Sequence, residues 1–428
     1  MLKYTLSRMT SKELRSVLER EDVDLTSALS SAMDIIDQVR ANGDEALLRF
    51  SEQFEGFRSN AMRIPESELV SAQRRLPKLL LQAIKRSKAR IEKFHSKQTI
   101  RPFEYEDDCG IIGQRVVPLE RVGVYVPGGT ASYASSVLMA CIPAKISGVK
   151  EIAVCTPGRS GKVADSILAA AGICGINEVY SVGGAQAVAA MAYGTETIRR
   201  VQKIVGPGGA FVTAAKLLVR NDCEIDFLAG PSEVLLIADD HADPRFIAME
   251  MLAQLEHDPL ARAVLVTDSK KMIESSSRIL GDLISTAARK EIVDRSSSCG
   301  AIFIKVKSVN SAVEFSNSYA PEHLVIDVRN PKKVLKSIYN AGSVFLGPYS
   351  SVAFGDYCTG TNHILPTKGV AAMKSSLSTY DFVKIVPYQM LTRKGASKLS
   401  ETVRLMALSE GLPAHADAAC ARAGRVRR

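Results

Sequence analysis

From Val122 onward, short runs of continuous apolar residues alternate with longer segments of helical periodicity. The runs are VGVYVP, EIAVCTP, EVYSVGG, KIVGPG, EVLLIAD, RAVLVTD, AIFIKV, HLVIDV and GSVFLG; between them lie stretches such as SSVLMACIPAKISG, KVADSILAAAGI, DPRFIAMEMLAQLEH and VNSAVEFSNSY. A strand that is apolar at nearly every position, not at every second one, has both faces covered, as in parallel sheets flanked by helices. Nine such runs with no fixed repeat suggest two sheets, with the break near IDFLAGPSEV, between the fourth and fifth runs. The region before them reads as helical. Thr10 and Glu13 form a capping box opening SKELRSVLER. Helical spacing in SSAMDIIDQVRANGDEALLRFSEQF breaks at Gly43 and resumes in PESELVSAQRRLPKLLLQAIKRSKARIEKFH. After Ser378 the pattern is helical again. The expected fold class is α/β: two Rossmann-like but incomplete parallel-sheet domains, a helical N-terminal region and a helical C-terminal tail. The expected segments are 1–121 for the N-terminal region, joined to the first α/β domain, then 122–233 for that domain, 234–377 for the second, and 378–428 for the tail.

Charge and cysteine usage narrow the function classes. The net charge is +9, and four of the positive charges, Arg422, Arg425, Arg427 and Arg428, fall in the last seven residues. The body is therefore only mildly basic and shows no cationic stripe, so nucleic acid is not an expected partner. Eight cysteines without a C-x-x-C, several of them inside apolar runs, suit a reducing compartment. With no sustained apolar h-region at the N-terminus and no long uninterrupted apolar stretch, the expectation is a cytoplasmic chain without a membrane partner.

Four glycine clusters fall where strand ends are expected: Gly128-Gly129, Gly183-Gly184, Gly206-Pro207-Gly208-Gly209 and Gly230-Pro231-Ser232. Ligands bind beyond the carboxyl ends of strands in open α/β sheets, and glycine lets backbone approach them. No G-x-G-x-x-G is present, and each cluster is also ordinary turn chemistry. Together they point toward a nucleotide or anion site.

Candidate acid/base and metal chemistry rests on few residues. YAPEHLVI sets Glu322 beside His323 ahead of an apolar run. Neighbours in an extended chain point to opposite faces, so this is either an acid/base pair at a strand mouth or a polar turn. Gln254 and His257 are three apart near a predicted helix end, before Asp258-Pro259. A histidine there also serves simply to meet the last carbonyls. Asp356 and His363 lie in the glycine-rich VAFGDYCTGTNHILPT, where Asp356 equally suits a turn. His415, in EGLPAHADAAC, reads alone as a surface helix residue, and His95 and His241 have no polar company. One Zn²⁺ could draw nitrogen and oxygen ligands from such a set, and no cysteine is spaced to join it.

The whole run of motifs resembles the histidinol dehydrogenase family: RVGVYVPGGTASYASSVLM, GGAQAVAAMAYGT, KIVGPGGAFVTAAK, AGPSEVLLIAD, LAQLEHDP, YAPEHL, GSVFLGPYSSVAFGDYCTGTNHILPT and EGLPAHA, in order along the chain. The resemblance implies NAD-dependent oxidation of L-histidinol to L-histidine through a bound L-histidinaldehyde, with one Zn²⁺ per subunit, in the last steps of histidine biosynthesis. It implies Gln254, His257, Asp356 and His415 as zinc ligands, the same four also meeting the substrate. By the same likeness Glu322 would activate water, and His323 would act as acid/base. Ser232, His323, His363 and Glu410 would contact substrate, Tyr125 and Gln186 would contact the cofactor, and a homodimer would supply His415 and Glu410 across its interface. One departure stands out. The family's GPGN reads GPGG here, so Gly209 offers no side-chain amide to the nucleotide.

Overall fold

Each of the nine apolar runs becomes a strand, and all nine lie in two parallel sheets. The structure, a computed structural model, describes residues 1–20, 25–56, 62–128, 132–158, 162–228 and 230–424; Gly129 and Ala229 of the motifs above, and Arg425, Arg427 and Arg428, lie outside the described residues. In chain order the strands are β1 (Leu2–Thr5), β2 (Arg63–Ile64), β3 (Phe103–Asp107), β4 (Gly110–Pro118), β5 (Arg121–Tyr125), β6 (Glu151–Thr156), β7 (Glu178–Ser181), β8 (Lys203–Val205), β9 (Glu224–Ile225), β10 (Glu233–Ala238), β11 (Arg262–Thr267), β12 (Ala301–Lys305), β13 (His323–Asp327), β14 (Ser343–Leu346) and β15 (Val383–Leu391).

The first sheet runs β2-β7-β6-β5-β8-β9 and the second β1-β12-β11-β10-β13-β14. Leaving aside β2 and β1, both follow the doubly wound order 3-2-1-4-5, with strand order reversing between β5 and β8 and between β10 and β13. The N-terminal region adds one edge strand to each: β2 runs antiparallel to β7, and β1 runs parallel to β12. Continuous apolarity is explained by two-sided burial. Val234, Leu236 and Ala238 of β10 enter one core with helices 244–255 and 270–285, while Leu235 and Ile237 enter the opposite core with helix 309–319. Each large aliphatic side chain so buried contributes about 1.5–3 kcal/mol. The first sheet packs on helices 184–193 and 210–219 and on the N-terminal helix 26–55 through Ile35, Val39, Leu47 and Phe50. That helix is interrupted at Gly43 (φ 51°), and the Thr10–Glu13 capping box is formed.

Two expectations need correction. The N-terminal region is not wholly helical, because it contributes β1 to β4, and the tail contains β15 before its helices 393–409 and 413–422. β3, β4 and β15 form a separate antiparallel sheet in the order β15-β4-β3. Nearly every residue of β15 and β3 is exposed, so neither strand carries the buried face that hydrophobic patterning reports. The chain divides into two compact units, residues 1–98 with 120–381, and residues 99–119 with 382–428. Among the described residues, no helix is long and apolar enough to cross a membrane.

Candidate active site

Helix 309–319 ends on Ala320 in the left-handed region (φ 48°), and Pro321 cannot continue it. The chain therefore turns directly into β13, with Glu322 just before the strand and His323 as its first residue. β13 pairs with β10 so that His323 lies opposite Val234. The preceding residues, Glu322 and Glu233, then grip one another through backbone: Glu233 N donates to Glu322 Oε2 at 2.8 Å, and Glu322 N donates to Glu233 Oε1 at 3.4 Å. His323 Nδ1 donates to the Glu233 carbonyl at 3.0 Å, and Nε2 is buried without a hydrogen-bond partner. Glu322 Oε2 lies 3.6 Å from His323 Nδ1, and Asp356 Oδ1 lies 3.8 Å from His323 Nε2. Adjacent residues at a strand mouth thus come close despite the pleat. Burial pushes the Glu322 carboxyl up to about 7. For His323, burial works the other way, but Glu322 and Asp356 outweigh it and hold the imidazole up to about 9.

The anchor of this arrangement is a residue that pattern reading passed over. Glu233 accepts from Arg20 Nε at 2.8 Å and Nη2 at 2.7 Å, and from the Tyr319 hydroxyl at 3.1 Å. Arg20 also donates to the Tyr319 carbonyl at 2.7 Å and stacks 3.7 Å from the Tyr319 ring. The two charged side chains are 6% and 3% exposed, so the pair is buried. Arg20 holds φ 55° to reach it. Glu233 was visible as a charge opening an apolar strand; nothing local marks Arg20.

Asp356 collects the histidines. It sits in a short helix, 352–357, and not in an open loop as its glycine-rich neighbourhood suggests. Gly355 allows this helix to pack, since a Cβ there would meet the Phe345 ring at 2.5 Å. Burial raises the Asp356 carboxyl, but His323, His363 and His257 outweigh it and hold it below its ordinary value. His363 Nδ1 donates to the Asp356 carbonyl at 2.8 Å, and its Nε2 lies 3.4 Å from Ser136 Oγ. Helix 244–255 stops before His257, which lies two residues beyond it, tied back by its N–H to the Gln254 carbonyl at 3.3 Å. His257 is open to solvent on one side, yet desolvation still lowers its pKa against the pull of Asp356. Gln254 is buried with Nε2 unpartnered. A neutral imidazole, an ionised carboxylate and the oxygen of a buried side-chain amide are the donor types that a nitrogen- and oxygen-preferring cation takes.

The carboxyl end of the first sheet supplies the other half. Tyr125, the last residue of β5, is buried and accepts through its hydroxyl from Gly184 N at 3.2 Å. Gln186, 1% exposed, has an unpartnered Oε1. Gly206 follows β8 at φ 113°, where a Cβ would lie 2.1 Å from the Tyr125 carbonyl, so that turn requires glycine. Gly209, by contrast, has φ −70° and open space where a Cβ would go. Three glycine clusters begin at carboxyl ends of the first sheet, but Gly230-Pro231-Ser232 precedes β10 and so borders the amino end of the second. The expectation that all four mark carboxyl ends is corrected accordingly. Glu322, His323 and Ser232 are likewise at the amino ends of their strands. The Ser136–His363 contact joins the helix after β5 to the Asp356 segment, so the first sheet's carboxyl end and the second's amino end share this region.

Glu410 and His415 are exposed residues of the second unit, at the end of helix 393–409 and in helix 413–422. That unit also brings Asp107, Asp108 and Cys109 close enough to hold an ion. The two aspartates are exposed at the β3–β4 turn; Asp108 pairs with Lys398, and Asp107 Oδ1 accepts from Cys109 N. His95 has the polar company that its sequence context hides, with Nδ1 2.6 Å from Gln98 Oε1. His241 lies 3.3 Å from an Arg329 nitrogen.

The sequence model of the family described as histidinol dehydrogenase matches residues 18–423. Histidinol dehydrogenase of Methanothermobacter thermautotrophicus is 46% identical over 408 residues, covering 95% of this chain and 96% of its own. That of Mannheimia succiniciproducens is 43% identical over 424 residues, covering 98% of each. A crystal structure of histidinol dehydrogenase from Elizabethkingia anophelis superposes with a TM-score of 0.94 at 34% identity, covering 99% of this chain and 98% of that one.

Removing Arg20 would strand a buried carboxylate. Arg20→Ala is expected to lower the unfolding free energy in urea by about 3–5 kcal/mol, with Glu233→Gln in the same chain recovering part of the loss. A loss below about 1 kcal/mol, the scale of a surface pair, would mean that the pair is not the anchor described.

Proposed function

The chain belongs to the histidinol dehydrogenase family, oxidoreductases that oxidise histidinol in histidine biosynthesis, and from that premise we propose a four-electron oxidation of L-histidinol to L-histidine through a bound L-histidinaldehyde. NAD and Zn²⁺ are the groups this reading needs. The observation that carries it is the unpartnered, buried His323 Nε2, turned toward Asp356 by the hydrogen bond on its other nitrogen.

In this reading His323 moves the proton of the alcohol at Nε2, and the charge so gained is stabilised by Glu322 and Asp356 on either side. Glu322, held up to about 7, acts as the base that removes a proton from the water adding to the aldehyde carbon. Gln254, His257 and Asp356, with His415 supplied by a second copy of the chain, would hold the metal. Zinc there would lower the cost of developing alkoxide charge and offset the carboxylate field that keeps His323 protonated. NAD would take up the hydride of each oxidation, with Tyr125 and Gln186 in contact with it. His363 and Ser232 border the same region and suit the substrate's polar groups. Glu410 suits its ammonium through a charge-assisted hydrogen bond.

The second unit supports a homodimer. It exposes Phe103, Tyr105, Ile385, Met390, Leu405 and Met406, apolar side chains that an isolated chain leaves in water. A second copy would cover some of them and bring His415 and Glu410 to the neighbouring site. Eight free cysteines, five of them buried, suit the reducing conditions of the cytoplasm.

With zinc present, each L-histidinol consumed should yield two NADH; no turnover would sink the proposal. Glu322→Gln should slow aldehyde hydrolysis by about a hundredfold or more while slowing the first oxidation much less; equal slowing of both would remove the water-activating role. The shared site has its own test. Mixing inactive Glu322→Gln and His415→Ala proteins under subunit exchange should restore about a quarter of wild-type turnover, because half the dimers are mixed and each of these holds one intact site. No recovery would mean that His415 serves its own subunit. Gly209→Asn should fold normally, and a regained amide contact should tighten NAD about two- to tenfold by calorimetry; unchanged affinity would mean that the glycine costs nothing.

A further inference from the structure

Glu55 is the last residue of helix 26–55, a position where a carboxylate opposes the helix dipole. Its location is explained instead by what it holds. One carboxylate oxygen accepts from Gly158 N, just past β6, and the other from Gly183 N, just past β7 and at the start of helix 184–193, both at 3.1 Å. The side chain thus bridges the carboxyl ends of two neighbouring strands of the first sheet. It borders a cavity of about 650 Å³ that is also lined by Arg49, Phe54, Phe211, Gly183 and Gln186, with the Arg49 guanidinium donating to Gln38 Oε1 and lying over the Phe50 ring. Phe54 and Phe211 are about half exposed there, and Gln186 is buried with its Oε1 unpartnered. An aromatic-flanked cavity with an unsatisfied amide suits a nucleoside.

The sheet order gives the carboxylate its meaning. Counting from β5, β6 is the second strand of a doubly wound sheet. In dinucleotide domains of this order, an acidic residue at the end of the second strand bonds the adenosine ribose. Here β6 runs into Pro157 and Gly158 and carries no such acid at its end, while Glu55 arrives from another segment and is hydrogen-bonded to that point. A carboxylate with two accepted N–H bonds keeps lone pairs for two more donors. Hydroxyls meet that need, whereas a phosphate at Glu55 meets a like charge, since the helix N-terminus that would attract it is already held by that carboxylate and the Arg49 guanidinium of the same cavity is bonded to Gln38.

We propose that Glu55 selects the unphosphorylated dinucleotide, its carboxylate accepting from the adenosine ribose hydroxyls and rejecting a 2′-phosphate. This rests on the NAD reading of the site. Calorimetry on the full-length protein tests it with four probes: NAD, NADP, adenosine 5′-monophosphate and adenosine 2′,5′-bisphosphate. Wild type should favour the first of each pair by at least about tenfold, and Glu55→Gln should bring both ratios down by a similar factor. Equal affinities in wild type, or ratios unchanged in a folded Glu55→Gln protein, would overturn the proposal. Should that variant not fold, the wild-type comparison of the two mononucleotides still decides. Binding of neither dinucleotide would instead overturn the NAD reading itself.

Discussion

Glu233 carries a buried negative charge at the amino end of a parallel sheet, and both members of the candidate catalytic pair take their orientation from it. Its backbone N–H and carbonyl fix Glu322 Oε2 and His323 Nδ1, and one carboxylate oxygen receives the Glu322 N–H. A charge in that position costs several kcal/mol in desolvation unless it is paired and its remaining lone pairs are met. Arg20 and Tyr319 meet them, one from a segment far earlier in the chain and the other from the helix that delivers β13. The same contacts pin the register of β13 on β10. A slip of one residue would turn His323 to the other face and bury a different side chain beside Asp356.

In the proposed function the two sheets divide the work by their opposite ends. Cofactor-type features gather at the carboxyl end of the first sheet, where the doubly wound order leads one to look. Acid/base features gather at the amino end of the second. The chain between β9 and β10 makes the connection, and it is held where it leaves the first sheet. Asp226 pairs with the buried Lys216 and accepts from Gly206 N, so the loop after β8 and the crossing segment are fixed by one carboxylate. His363 then spans from the Ser136 hydroxyl to the Asp356 carbonyl. Distance along the sequence matters little here, because Ser136, in the helix after β5, and His363, in the segment after helix 352–357, meet only in the fold.

Much of this was legible before any coordinates. Continuous apolar runs report two-sided burial, and that condition holds for eight of the nine strands, with the edge strand β14 half-buried, so their number, their parallel pairing and their split into two sheets could be read directly. β1 escaped because four residues carry no period, and β15 escaped because its side chains are exposed in the chain by itself. Histidines and acids near turns could be named from sequence, and the structure brings Glu322, His323, Asp356, His257 and His363 into one neighbourhood. Residues whose importance lies in whom they touch could not. Arg20 meets Glu233 across a sequence separation of 213, and Glu55 reaches Gly183 across 128. Neither contact leaves a local trace.

One enclosed environment also sets three different basicities. Burial removes water from around Glu322, which raises its carboxyl to about 7. The charge of the same group, with Asp356, raises His323 to about 9 although burial opposes it. Asp356, with three imidazoles around it, moves the other way and stays ionised. In the proposed function the order Asp356, Glu322, His323 is an order of tasks. The group that never gives up its charge is suited to hold a cation, and the one that titrates near neutrality to take a proton from water. The one that binds a proton most firmly is suited to take it from an alcohol once a cation has reduced the field around it. Because Glu322 and His323 sit 3.6 Å apart, their protons belong to the pair, and removing either charge shifts the other. Adjacent positions in the chain are therefore no redundancy: the closeness that looked like an accident of a turn is what separates their two proton affinities.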